Sequence, residues 1–224
     1  MSNFISRSAL PKVYKTPSPD SSKEKERESF LLKELDLVES EIKRLRAEGP
    51  LRIQFLFTTT SALLGSLLVL AGLKSVDPEW VRRAGIATSF LLFTFAQVTF
   101  QYLIGRDISC DRNARATARI RRYFLDRSPS LQLHVSWQTS DAPTQWIRVD
   151  NSGIRWMNLL IASGVGSLCA GLVIFEVTQN YWVSYACGVV SAIFIVGAMR
   201  YWARARLEGA NKKALAEQRF PANS

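Results

Sequence analysis

The sequence predicts an all-α membrane protein. Four transmembrane helices form two antiparallel hairpins, with an N-terminal cytoplasmic helix or short coiled coil, and a small cytoplasmic lobe, read as a β-hairpin, between spans 2 and 3. Three observations lead there. Four stretches of about 20 residues carry almost no charge. Lysine and arginine collect in alternate segments between them, and the remaining connections are very short. The averages hide this pattern: at 47% hydrophobic and 21% charged the chain would pass for a soluble domain. A soluble helix, however, interleaves the two residue classes to make a core face and a water face, and these stretches do not.

Residues 1–20, with Pro11, Pro17, Pro19 and several serines, read as a disordered arm. Ser21 followed by Glu24 fits a capping box, opening a charged helix over 21–49 that Gly49-Pro50 is expected to close. Its apolar residues Leu31, Leu35, Val38, Ile42 and Leu45 alternate spacings of four and three, which makes an a/d seam. Two heptads are too short to be stable alone, so the seam needs a partner. That partner is either another copy or the chain's own loop.

The first transmembrane hairpin is placed at 50–105, with spans from Ile53 to Leu73 and from Ala84 to Ile104. The first span is no signal peptide, because it starts past residue 50, runs full length and is followed by further spans. In the second span Thr94, Gln97 and Gln101 share one helical face. An amide in hydrocarbon needs a partner, so this stripe reads as glue between helices or subunits, or as the wall of a water-filled path.

A cytoplasmic loop follows at 106–155. Its opening, RDISCDRNARATARIRRYFLDR, can extend the second span as a basic helix with Arg112, Arg115, Arg119 and Arg122 along one face. Glu34, Glu41 and Glu48 repeat every seven residues on the N-terminal helix and are expected to pair with that face. The competing role is binding lipid phosphates. After Ser128-Pro129, LQLHVSW alternates in period two and TQWIRV follows a turn-rich QTSDAP, which reads as a β-hairpin. His134, the sole histidine, is read as structural, and Trp137, Trp146 and Trp156 as packing the lobe on the membrane surface or forming a binding face.

The second hairpin is placed at 156–203, with spans from Met157 to Val177 and Trp182 to Trp202, before a basic tail at 204–224. Ser163, Ser167 and Gly171 recur every four residues, as do Ser184, Gly188 and Ala192. Small residues at that spacing let two backbones approach closely, so spans 3 and 4 should pack tightly. Cys169 and Cys187 then lie at similar depth as small packing residues. Glu176, the sole acid in a span, sits near its outer end, within reach of Lys74, Arg82 or Arg83.

The net charge of +10 calls for an anionic partner, and a bilayer with anionic headgroups suits basic residues that flank apolar spans better than nucleic acid does. Twenty-six Lys and Arg fall in the segments at the two termini and the long loop, against three in the two other connections. The positive-inside rule therefore places both termini in the cytoplasm. Trp80, Tyr102, Trp156, Tyr181, Trp182, Tyr201 and Trp202 sit at span ends, where amphipathic rings prefer to lie. There is no HExxH, GxSxG, P-loop or cluster of metal ligands, so no enzyme, cofactor or metal is expected.

The block RDISCDRNARATARIRRYFLDRSP, the short lobe and NSGIRWMN before span 3 give residues 50–205 an arrangement that resembles small bacterial four-span membrane proteins. In architecture it is similar to membrane subunits of bacterial anti-phage systems, such as the four-span subunit of Kiwa. The resemblance implies a bacterial inner-membrane protein in antiviral defence. With the residues above, it leads to the expectation of a non-enzymatic sensor, scaffold or effector. Such a protein would form a homo-oligomer and couple the membrane to a soluble cytoplasmic protein; the alternative is an oligomeric ion channel or small transporter.

Overall fold

The computed structural model describes residues 21–73, 75–128, 139–148 and 153–220. The arm at 1–20, Lys74, and the LQLHVSW run with His134 and Trp137 lie outside the described residues. Within them are five helices: α1 (Ser21–Gly72), α2 (Pro78–Arg127), α3 (Gln145–Arg148), α4 (Gly153–Thr178) and α5 (Tyr181–Ala216). No strand occurs among the described residues, which corrects the reading of TQWIRV as a strand. Thr144 donates its backbone N–H to Asp111 at 2.7 Å, and the Ile147 N–H closes on the Thr144 carbonyl at 3.3 Å. That turn buries Ile147 in the core, a gain the local alternation does not encode.

The second correction concerns Gly49-Pro50. It does not close the N-terminal helix, because α1 runs through it for 52 residues, about 78 Å at 1.5 Å per residue. Pro50 has no N–H for the carbonyl of Arg46 four residues back, which costs about 3 kcal/mol in an isolated helix. Packing offsets this locally. Gly49 is buried, and a Cβ there would overlap the Arg106 guanidinium of α2, so the missing side chain makes room for that cation. α2 is likewise continuous for 50 residues, so span and basic helix are one rod. Asp77 caps it by accepting from the Glu79 N–H, with Pro78 at its first position. α5 also extends past the expected span, to Ala216.

Contacts along each helix pair run in opposite residue order, so neighbours are antiparallel. On α1 and α2, Glu24 meets Arg127, Glu39 meets Arg121 and Phe55 meets Phe95. On α2 and α4, Gly85 meets Leu172, Ala96 meets Asn158 and Asp107 meets Arg155. On α4 and α5, Gly171 meets Ser184, Ser167 meets Gly188 and Trp156 meets Arg200. α2 is thus central, shared between α1 and α4. The α4–α5 turn is short: Gln179 takes φ 51°, a left-handed residue ending α4, and the Asn180 side chain accepts from the Trp182 and Val183 N–H groups to start α5.

The core lies toward the charged end of the bundle, away from the 73–77 and 179–180 turns. Leu56, Ala96, Phe100, Ile104, Leu159 and Met199 are buried there together. Elsewhere the apolar surface faces out. In the most apolar window of each long helix, 11% (α1), 33% (α2), 22% (α4) and 17% (α5) of residues are buried, far too few for a water-soluble bundle. Four helices are therefore long and apolar enough to cross a membrane.

One glycine marks a close crossing of three helices. A Cβ on Gly166 would lie 2.5 Å from Ile195 Cδ1 and 2.9 Å from Phe93. Gly166→Val is expected to lower stability by about 1–3 kcal/mol by overpacking, read as an earlier melt in detergent. An unchanged melting temperature would mean that α2, α4 and α5 do not meet there.

Candidate functional site

Where α2 leaves the apolar layer it begins to carry buried or half-buried charge at every fourth residue, Asp107, Asp111, Arg115 and Arg119. Asp107 accepts from its neighbour Arg106 through Nε at 3.1 Å and Nη2 at 2.6 Å. Its other oxygen lies 3.3 Å from Arg155 Nε, on the first turn of α4. All three side chains are under 10% exposed. One turn on, Asp111 accepts from Arg115 Nε at 2.9 Å and holds the Thr144 N–H just before α3. Arg115 also reaches Glu217, at the end of α5, at 3.3 Å.

The next turn fixes the tail. Asp141 is fully buried and accepts from Arg119 Nε at 2.7 Å and from the backbone N–H groups of Arg219 and Phe220 at 3.0 and 2.8 Å. Its own N–H donates to the Phe220 carbonyl at 3.3 Å, and Arg119 Nη2 donates to the Glu217 carbonyl at 2.8 Å. Burial pushes the Asp141 carboxyl up, but the Arg119, Phe220 and Arg219 hydrogen bonds outweigh it and hold the group below its usual range. Among the described residues these contacts form a ladder of charge, Arg106 and Arg155 on Asp107, then Arg115 and Arg119 on Asp111, Asp141 and Glu217. It ties α2 to α4, to the loop and to the end of α5. Burial pushes the adjacent Cys110 thiol up, keeping it protonated and inert.

This arrangement redraws the expected basic face. Arg115 and Arg119 point to the loop and tail; Arg122 pairs with Asp126 at 2.8 Å and covers the Phe220 ring. Arg112 is exposed. The expected partners are elsewhere: Glu34 is exposed, Glu41 pairs with Arg44 on its own helix, and Glu48 meets Tyr102. α1 and α2 do pair through charge, by Arg121 with Glu39 at 2.7 Å and Arg127 with Glu24 at 2.6 Å and Glu28 at 3.5 Å. The seven-residue spacing found the right helices and the wrong side chains.

The seam of Leu31, Leu35, Val38, Ile42 and Leu45 is half-buried to buried along the α1 stretch joined to α2 by those ion pairs, so the chain itself takes it up. On the small-residue lattice, a Cβ at Gly171 or Gly188 would stand 3.4 or 3.3 Å from the facing carbonyl of Ser184 or Ser167. Ser163 and Ser184 are buried and donate to the Leu160 and Asn180 carbonyls; Ala192 is half-buried. The Cys169 thiol turns to the Ile86 carbonyl on α2 at 3.8 Å, and both it and Cys187 are free. Glu176 pairs with Arg82, one of the cations expected in reach.

The polar stripe lies outside the bundle. Thr94 and Gln101 are exposed and Gln97 half-buried, on the α2 face shared with exposed Phe90, Leu91 and Val98. The polar contact inside is one the sequence reading missed: Asn158, fully buried, donates to the Ala96 carbonyl at 3.1 Å. Asp107, Asp111, Asp141, Arg155 and Glu217 were missed too. Only the i, i+4 spacing of Asp111 and Arg115 signalled any of them.

Chemically the ladder holds charge in place; among the described residues no group of three His, Cys, Asp or Glu is placed to hold a metal ion. No family model matches the chain, and no curated protein or solved structure matches it either.

Proposed function

We propose that the chain is a non-enzymatic membrane sensor or scaffold that assembles as a homo-oligomer and couples the bilayer to a soluble cytoplasmic protein. The observation that carries this reading is Asp107 between Arg106 of α2 and Arg155 of α4, on a helix that continues unbroken from the apolar layer to Arg127. A shift between spans must move that charge, and with it the stalk and tail. The stalk shows Phe30, Leu32 and Leu37 to solvent, an apolar surface for the partner. The Lys and Arg partition supports a topology of two hairpins with both termini and the ladder in the cytoplasm. The place in bacterial anti-phage defence rests on the architectural resemblance.

The outward stripe supports assembly, since Gln97 and Gln101 on a lipid-facing surface gain from meeting another subunit. It also favours a second reading, in which several copies of α2 surround an ion path. One pair of measurements separates the two. Gln97→Leu with Gln101→Leu is expected to weaken association by about 0.6 kcal/mol per side chain. Native mass analysis would show smaller assemblies, with no ion flux in liposomes before or after. Flux that changes while assembly stays constant would select the channel.

A further inference from the structure

At the turn end the bundle opens. The α1 and α5 backbones do not approach closely among the described residues, and between them lies a cavity of about 1220 Å³, floored by α2 and α4. Gly72, Arg82, Gly164, Phe175, Tyr181 and Ala192 are in its lining, which is otherwise largely apolar. Along α4 it extends from Gln179 to Gly164, about 22 Å of helix. One leaflet of hydrocarbon is about 15 Å thick, so the trough runs from headgroup level through a full leaflet.

Arg82 is the charged side chain in the lining, and it sits at the mouth. Its Nε pairs with Glu176, and its guanidinium lies 5.7 Å from the Phe175 ring, which itself packs on Tyr181 at 4.6 Å. A guanidinium has five N–H donors, and the Glu176 contact engages the Nε, so the fork suits a further oxyanion. A span from a second copy would fill the trough, but its one acid, Glu176, is already paired with Arg82 of its own chain and brings no free anion. A lipid brings both parts.

We propose that this trough is a binding site for one glycerophospholipid, its acyl chains along α4 and α5 and its phosphate on Arg82. The Arg82–Glu176 pair is neutral as a unit, so it matches a zwitterionic headgroup, phosphate toward Arg82 and ammonium toward Glu176. The site rests on the membrane reading but not on coupling to a partner or on the stripe.

Gly164 supplies the test, because a Cβ there meets nothing within 4 Å. Gly164→Leu therefore places a side chain in the trough from a position where the added Cβ meets no neighbour. The full-length protein is purified in mild detergent, washed free of annular lipid, and its retained lipid counted by native mass spectrometry and extraction. The expected result is one zwitterionic phospholipid per chain. Gly164→Leu, with an unchanged melt, and Arg82→Gln should each lower retention by about tenfold, the loss expected for a blocked site or a charged hydrogen bond. Glu176→Gln should shift the retained lipid toward anionic species. Equal retention in natural protein and Gly164→Leu, or no retained lipid, overturns the site. So does an oligomer that Gly164→Leu disperses with lipid unchanged, which would put a second copy in the trough. Recovery of the protein from the aqueous fraction would overturn the membrane reading as well, whereas lipid retention without a partner leaves the site intact.

Discussion

Asp107→Ala is expected to destabilise the protein by about 3–5 kcal/mol, the cost of removing one partner from a buried ion cluster. Arg106 and Arg155 are each under 10% exposed and would lose the carboxylate that lies between them. At roughly a third or more of an ordinary domain's stability, this should appear as a large drop in detergent melting temperature and as poor yield. Asp107→Asn keeps the shape and an acceptor, so its loss should be smaller. A melt for Asp107→Ala within experimental error of the natural protein would show that α2 and α4 are not joined there.

Asp141→Ala should act locally but strongly. It removes the acceptor for the Arg119 guanidinium and two backbone N–H groups, a loss of about 2–3 kcal/mol at the tail. The Arg219 and Phe220 amides should then exchange with solvent tens of times faster, and a protease should clip the tail while the spans stay intact. Unaltered exchange at those two amides would dismiss the latch. The pH dependence has a definite sign. Because the folded carboxyl is held below its usual value, its contribution is present above about pH 3.9 and is lost as the pH falls through the lower folded value. The latch should therefore hold from pH 5 to 8 and open only in strong acid.

What the residues disclosed in advance follows from which physics is local. Lipid excludes charge segment by segment, so four spans were readable from composition. Close approach at Gly171 and Gly188 was readable because spacing and residue size suffice for it. Gly49-Pro50 misled, since a helix stop by propensity yields when a cation from another helix packs into the gap. Arginine spacing on α2 fixed one face but could not say what lies opposite. Asp141 in QTSDAP carries every mark of a solvated turn; its burial depends on Phe220, nearly eighty residues on.

The length of α1 has a mechanical corollary. About 32 of its 52 residues precede the first span, a lever of about 48 Å rooted in a slab about 30 Å thick. Helices tilt when the surrounding hydrocarbon thins, and a 10° tilt would swing the far end of that lever by roughly 8 Å. Since Arg121 and Arg127 of α2 bind Glu39 and Glu24 of α1 alongside, the two rods would sweep together. A change of bilayer thickness too small to unfold anything would thus arrive at the tip as a displacement nearly the width of a helix.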